Sequence, residues 1–333
     1  MGYQNVSTPR FYISWGDYWK AIGASIPARN TIRPTVTNSI TLTSEGNWYR
    51  FWYPYNYPPY DSAPAGINWC AVLNHNLTED YRFIIKQYTP DSAQSFTGAP
   101  LETDVNISPG NVRLNGFSLG TRATAWDDMG VSGVNIQTGV GTITQAPVSS
   151  DITFKIGCMV YGKYYDMPVA PDLSLSLEHD YSGIKKTTSM SGASFSNANW
   201  IKPPKWGDLE AWQLGEQPRN YSGRRVWDLS FSYISDSNLE PRNYTGTQLD
   251  DDGYVVQNDA NWFENVLFYT MGGHLPFIFQ PDNSAYFQIS GQGTGLVNHV
   301  PEFAICRFDM NSFSREQVAP GVYNIKIKVK ESW

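Results

Sequence analysis

The chain predicts an all-β fold arranged as two sandwich or jelly-roll-like domains, and three observations carry that reading. Short runs of β-branched and aromatic residues alternate with Gly, Pro, Asn and Ser clusters along most of the 333 residues. Aromatics are abundant, with 12 Trp, 21 Tyr and 16 Phe, whereas charged residues make only 17% against ~25% in ordinary domains. A chain so composed buries much of its surface, in its own core or against partners. Near the C-terminus the alternation is clean: Tyr323, Ile325, Ile327 and Val329 lie on one face of a strand, Asn324, Lys326 and Lys328 on the other. The length suits two domains of ~100–200 residues each.

Residues 1–30 read as an aromatic arm. Pro9-Arg-Phe-Tyr-Ile-Ser-Trp15 has a short β pattern, and Asp17-Tyr-Trp-Lys20 suggests a helical turn. Such an arm is built to dock, either on its own domain or on a neighbouring subunit. Residues 31–168 form the first expected β domain. Its candidate strands are Ser39–Thr43, Trp48–Tyr53, Trp69–Leu73, Tyr81–Ile85, Val112–Leu114 and Ile152–Ile156. The segment Tyr53–Tyr60 contains Pro54, Pro58 and Pro59, which remove ladder donors, so it reads as a rigid surface loop.

Pro168 and Pro171 interrupt the strand pattern and mark a boundary, with residues 169–333 as the second β domain. Leu173-Ser-Leu-Ser-Leu177 alternates with period 2, as a half-buried strand does, and Val226–Tyr233, Leu275–Phe279, Phe303–Phe308 and Tyr323–Val329 follow. One segment reads helical, Asn261–Thr270, with Trp262, Phe263, Val266 and Leu267 on one face. Asn261 with Glu264 three residues later resembles a capping box, and Gly272-Gly273 supplies a stop.

The net charge of -7, without a Lys/Arg run, argues against nucleic acid as a partner. No stretch approaches the ~18 apolar residues of a membrane span, and no leader pattern opens the chain, so membrane insertion is not expected and synthesis in the cytoplasm is. Cys70, Cys158 and Cys306 are far apart in apolar surroundings, an odd count that predicts reduced, buried thiols.

The residues predict no catalytic centre, metal or cofactor. Four histidines, His75, His179, His274 and His299, fall in no nucleophile motif, and His75 and His274 read as turn residues. Asp127-Asp128 and Asp250-Asp-Asp252 read as solvated loops. The calcium-like register from Gln248 to Asp259 lacks a carboxylate at its first position and a bidentate Glu at its last. Aromatics are the remaining candidates for contact with a glycan or a protein partner: Trp48, Trp52 and Tyr53 in the first half, Trp206 and Trp212 in the second.

Two sets of motifs resemble virion structural proteins of tailed bacteriophages. Ile67-Asn-Trp-Cys-Ala-Val-Leu-Asn-His-Asn-Leu77 and Ile156-Gly-Cys-Met-Val-Tyr-Gly-Lys-Tyr-Tyr165 look like the galactose-binding-like jelly roll found in phage tail proteins. Gly223–Ser235, Gly272–Asp282, Phe303–Asp309 and Gly321–Trp333 resemble the β-domain plan of distal tail and minor tail (baseplate) proteins. The resemblance implies a non-enzymatic virion component, a tail or baseplate adaptor that forms a homo-oligomeric ring about the tail axis and contacts other tail proteins. The alternatives it leaves are a host-glycan receptor-binding module and a capsid or neck decoration protein.

Overall fold

The structure is a computed structural model that describes residues 7–24, 26, 30–32, 38–42, 67–75, 81–88, 101–107, 117–126, 131–138, 152–173, 176–180, 184–198, 223–240, 261–283 and 303–332. Among them the fold is all-β and antiparallel. The strands are β1 (Arg10–Ser14), β2 (Asn38–Leu42), β3 (Ile67–His75), β4 (Tyr81–Tyr88), β5 (Leu101–Ile107), β6 (Phe117–Trp126), β7 (Val131–Thr138) and β8 (Ile152–Asp166). They continue with β9 (Ser176–Asp180), β10 (Ile184–Thr188), β11 (Ser194–Ala198), β12 (Arg224–Ser235), β13 (Phe277–Gln280), β14 (Ala304–Phe308), β15 (Arg315–Ala319) and β16 (Val322–Glu331). Helical segments are short: α1 (Trp15–Ala21), α2 (Asp236–Leu239) and a π-helical turn, Phe263–Phe268.

One sheet runs β6-β3-β8-β1-β13-β14-β16-β12-β9, with β15 paired to β16 and β2 to β8. A second sheet, β5-β4-β7, has three strands, and β10-β11 is a separate hairpin. The boundary at residue 168 is therefore not a break in the large sheet, to which both halves of the chain contribute. The N-terminal arm is what joins them. β1 pairs with β8 on one edge, Arg10 opposite Asp166 and Ser14 opposite Gly162, and with β13 on the other, Arg10 opposite Gln280 and Ile13 opposite Phe277. The docking partner of the arm is thus its own chain.

The composition of β1 suits that central place. A strand covered on both faces loses the apolar-polar alternation and reads as a continuous apolar run, here Phe11-Tyr12-Ile13. Phe11 and Ile13 enter a core shared with Trp227, Leu229, Phe231, Trp262, Phe277, Phe279, Ile325, Ile327 and Val329. Tyr12 points to the other face, into a core with Trp69, Leu73, Val160, Ile278 and Ile305. The Phe11 ring lies 5.0–5.9 Å from those of Trp262, Phe277, Phe279 and Phe308. At the strand's start Arg10 bonds both oxygens of Asp166, at 2.5 and 2.7 Å, and stacks on Tyr164 at 4.0 Å. Gly162 permits the crossing, because a Cβ there would lie 2.0 Å from the Ile13 carbonyl oxygen.

The helix expected at Asn261–Thr270 forms, but it widens into a π-turn. Half of the expected capping box forms: Glu264 N–H donates to Asn261 Oδ1 at 2.8 Å, but the Glu264 carboxylate accepts from Asn261 Nδ2, also at 2.8 Å, and not from the backbone N–H. Met271, Gly272 and Gly273 end it with three successive positive φ angles. Gly273 is also pressed by the Phe308 side chain, 2.7 Å from where a Cβ would sit. At the sheet's far end a buried ion pair ties β12 to β16. Arg225 donates to Glu331 from Nε, Nη2 and its backbone N–H at 3.0–3.2 Å, and from Nη2 to the Phe303 carbonyl at 3.2 Å.

Candidate self-association interface

β9 is held to the sheet by β12 alone among the described residues, Asp180 opposite Arg224 and Ser176 opposite Asp228. Its outer edge carries no proline, bulge or lysine, but the strand is only five residues long and bears Glu178 and Asp180. Facing residues of an antiparallel pair share a side of the sheet, so Leu177, opposite Trp227, lies over the core face, while Glu178, opposite Val226, lies on the polar face. Trp227 is fully buried, yet Leu177 beyond it is 38% exposed. Upstream, Leu173 is fully exposed and Pro168, Val169 and Ala170 lie open to solvent. The strand predicted at Leu173–Leu177 is thus displaced. It begins at Ser176, and among the described residues nothing covers Leu173.

The hairpin β10-β11 follows directly. Thr187 faces Phe195 on one side and Lys186 faces Ser196 on the other. A Ser-rich turn closes it: Ser189 N–H donates to Ala193 O at 2.8 Å, Gly192 N–H to Ser189 O at 2.9 Å, and Ala193 N–H to Ser189 Oγ at 3.0 Å. Met190 stands fully exposed at the tip and Phe195 is 59% exposed on the strand. A lone two-stranded hairpin is at best marginally stable in water and gains stability from a surface to lie on.

Charge accompanies the apolar groups. Asp180 is paired with Lys330 at 2.6 Å across the sheet. Glu178 and Lys186 are both exposed, and neither forms an ion pair with a described residue. β9 therefore carries an anion on the face opposite its exposed leucine, and the hairpin a cation on the face opposite its exposed phenylalanine. Set against models of protein families, curated proteins and solved structures, the chain matches none.

The residues singled out from sequence fall elsewhere. Trp48, Trp52, Tyr53, Trp206 and Trp212 lie outside the described residues, as do Asp127-Asp128 and the Gln248–Asp259 register. Of the other tryptophans, Trp15, Trp69, Trp227 and Trp262 are core residues. Cys158 and Cys306 are buried thiols in no disulfide, as expected, and burial with the nearby Glu331 carboxylate pushes the Cys306 thiol pKa up. His274 follows the glycine stop in a turn, whereas His75 ends β3 opposite Ile156 and is not in a turn. No described helix is long and apolar enough to cross a membrane. Met190, Phe195 and Lys186 escaped the sequence reading. Their signal was a Ser-Met-Ser-Gly turn between two Ser/Thr-rich runs, a short Gly-containing loop that marks a hairpin.

Proposed function

We propose that this chain is a non-enzymatic structural subunit of a tailed-phage virion, a tail or baseplate adaptor that assembles with copies of itself around the tail axis. The observation that carries the assembly part is the exposure of four large apolar side chains, Leu173, Leu177, Met190 and Phe195, on and around β9, the strand that ends the large sheet among the described residues, and on the hairpin that follows it. Large apolar side chains left in solvent mark contact surfaces, and the end strand of a sheet offers main-chain donors and acceptors to another strand. The period-2 pattern of Leu173-Ser-Leu-Ser-Leu177 fits the same reading, since it describes a half-buried strand whose cover is supplied from outside. A contact between one surface of a subunit and a different surface of the next closes into a ring when the rotation between copies divides a full turn, and otherwise runs on as a filament.

The virion part draws on the resemblance of the Ile67–Leu77, Ile156–Tyr165, Gly223–Ser235 and Gly321–Trp333 motifs to phage tail proteins. Two measurements test the proposal together: light scattering of the purified chain over a concentration series, and mass spectrometry of purified particles. A closed oligomer and recovery of the chain from the tail are expected. A chain that stays monomeric at high concentration and is absent from the particle defeats the proposal.

A further inference from the structure

We infer that β1 is a clasp: it seats last, between β8 and β13, and its release parts the large sheet along that line while the C-terminal half, residues 223–332, stays folded. Among the described residues no strand of residues 38–166 pairs with a strand of residues 176–331, and every main-chain ladder between the two groups passes through β1. The carbonyls just before the strand repeat that pattern, Pro9 accepting from Met167 N–H and Thr8 from Asn283 N–H, both at 3.0 Å. Side chains do the same: Arg10 bonds Asp166, and Tyr12 Oη donates to Gln280 Oε1 at 2.7 Å. Release of β1 therefore leaves residues 163–166 of β8 without a ladder partner among the described residues and bares one edge of β13.

Distance along the chain and the make-up of the two cores set the order. The bond from Tyr12 to Gln280 spans 268 positions and that from Arg10 to Asp166 spans 156, whereas β13 pairs with β14, and β15 with β16, between consecutive strands. Contacts so distant in sequence form after nearer ones have gathered the chain. The C-terminal half does not need β1 for its core: apart from Phe11, Ile13, Tyr165 and Met167, the cluster around Trp227 and Trp262 comes wholly from residues 227–329. That half also has its own ladder, from β13 through β14 and β16 to β12, and the buried Arg225–Glu331 pair. The other core is built across the line of the clasp. It joins Trp69, Leu73 and Val160 to Ile278, Phe303 and Ile305, and the Tyr12 ring touches both groups, 5.4 Å from Trp69 and 6.2 Å from Phe303. Side-chain contacts such as Tyr165 with Trp262, rings 5.8 Å apart, cross the same line without adding a ladder. A strand so placed opens as a cooperative unit below the free energy of global unfolding.

Hydrogen exchange of the full chain, read by mass spectrometry across a urea series below the unfolding midpoint, tests the order. Amides of residues 10–14 and 163–166 should lose protection together, at a lower urea concentration than those of residues 226–231 and 325–330. Loss of all four stretches at one concentration, or of 10–14 after the rest, overturns the inference. A reversible lock gives a second readout. Arg10 and Gln280 face each other across β1 and β13, at the spacing a disulfide needs, so oxidised Arg10→Cys/Gln280→Cys ties the clasp to the C-terminal half. Protection at 10–14 should then persist to the urea concentration that releases 325–330, and a thiol reductant should bring back the early loss. Early loss in the oxidised chain contradicts the clasp. Kinetics tests the closing step. Phe11→Ala should speed unfolding and leave refolding almost unchanged, since a contact made last is absent from the folding transition state. Refolding slowed in proportion to the lost stability places β1 in the nucleus and defeats the proposal.

Discussion

Replacing Arg225 by Met tests the buried ion pair, whose two side chains are 5% and 1% exposed. The substitution keeps an unbranched apolar stem and removes the guanidinium, so the Glu331 carboxylate keeps only the Arg225 backbone N–H among its described donors. The Phe303 carbonyl loses a donor as well. Stripping one partner from a buried pair costs about 3–5 kcal/mol, mostly the penalty of a charge left without compensation. The folded-to-unfolded ratio should therefore fall by a factor of about a thousand. Urea unfolding followed by tryptophan fluorescence measures it, and Trp227, whose ring lies 5.1 Å from the guanidinium, reports locally. Arg225→Met/Glu331→Leu removes both charges and should recover at least half of the loss, because an apolar pair of similar volume needs no counter-charge. A single variant that loses less than about 1 kcal/mol at an unchanged denaturant slope refutes the reasoning, as does a double variant no more stable than the single.

Gly162→Ala drives a Cβ into the backbone of β1, which cannot yield without parting β1 from β8, so the urea midpoint should drop by an equivalent of about 3 kcal/mol or more; a loss within about 0.5 kcal/mol contradicts the close approach. Phe11→Ala, which empties a site ringed by four aromatics, should cost about 3–5 kcal/mol in the same measurement. Tyr233 sits at φ 60° in the β12 bulge with its ring 76% exposed, so Tyr233→Asn, which tolerates that conformation, should raise the midpoint slightly; a loss above about 1 kcal/mol shows the ring is needed in the fold. Burial raises the Asp17 pKa from 3.8 to about 6, against hydrogen bonds from Ser14 Oγ at 2.5 Å and Ile32 N–H at 2.9 Å and the attraction of Arg307 and Lys20. The folded chain then holds this proton more tightly than the unfolded one, so its contribution to stability is full below about pH 4 and falls as pH rises to about 6. Asp17→Asn should flatten that part of the pH–stability profile, and a profile of unchanged slope sinks the assignment.

How much of this was legible in the chain depends on the range of the interaction involved. The Tyr323–Val329 strand, the Asn261–Glu264 cap and the Gly272-Gly273 stop were all readable, because each is set by residues within a few positions of one another. The π-turn was not, since whether a helix carries an extra residue per turn depends on what packs against it. Leu173–Leu177 shows the opposite failure. Its alternation was correct as a pattern but does not say which surface does the covering, and the chain itself leaves Leu173 open. The candidate interface was half visible for that reason: β9 gave a periodic signal, whereas the hairpin, rich in Ser and Thr with two lysines, lacks the apolar alternation that marks a strand.

By itself the sequence determined the fold class, the positions of most strands and one helix cap, all properties carried by side-chain periodicity and local hydrogen bonding. Only the tertiary structure decided that residues 10–14 form the middle of a single large sheet. An arm of Phe, Tyr and Ile must be buried somewhere, and its pattern says so. Whether that place is between β8 and β13, more than 140 residues along the chain, is settled by register and packing across strands that no local pattern encodes.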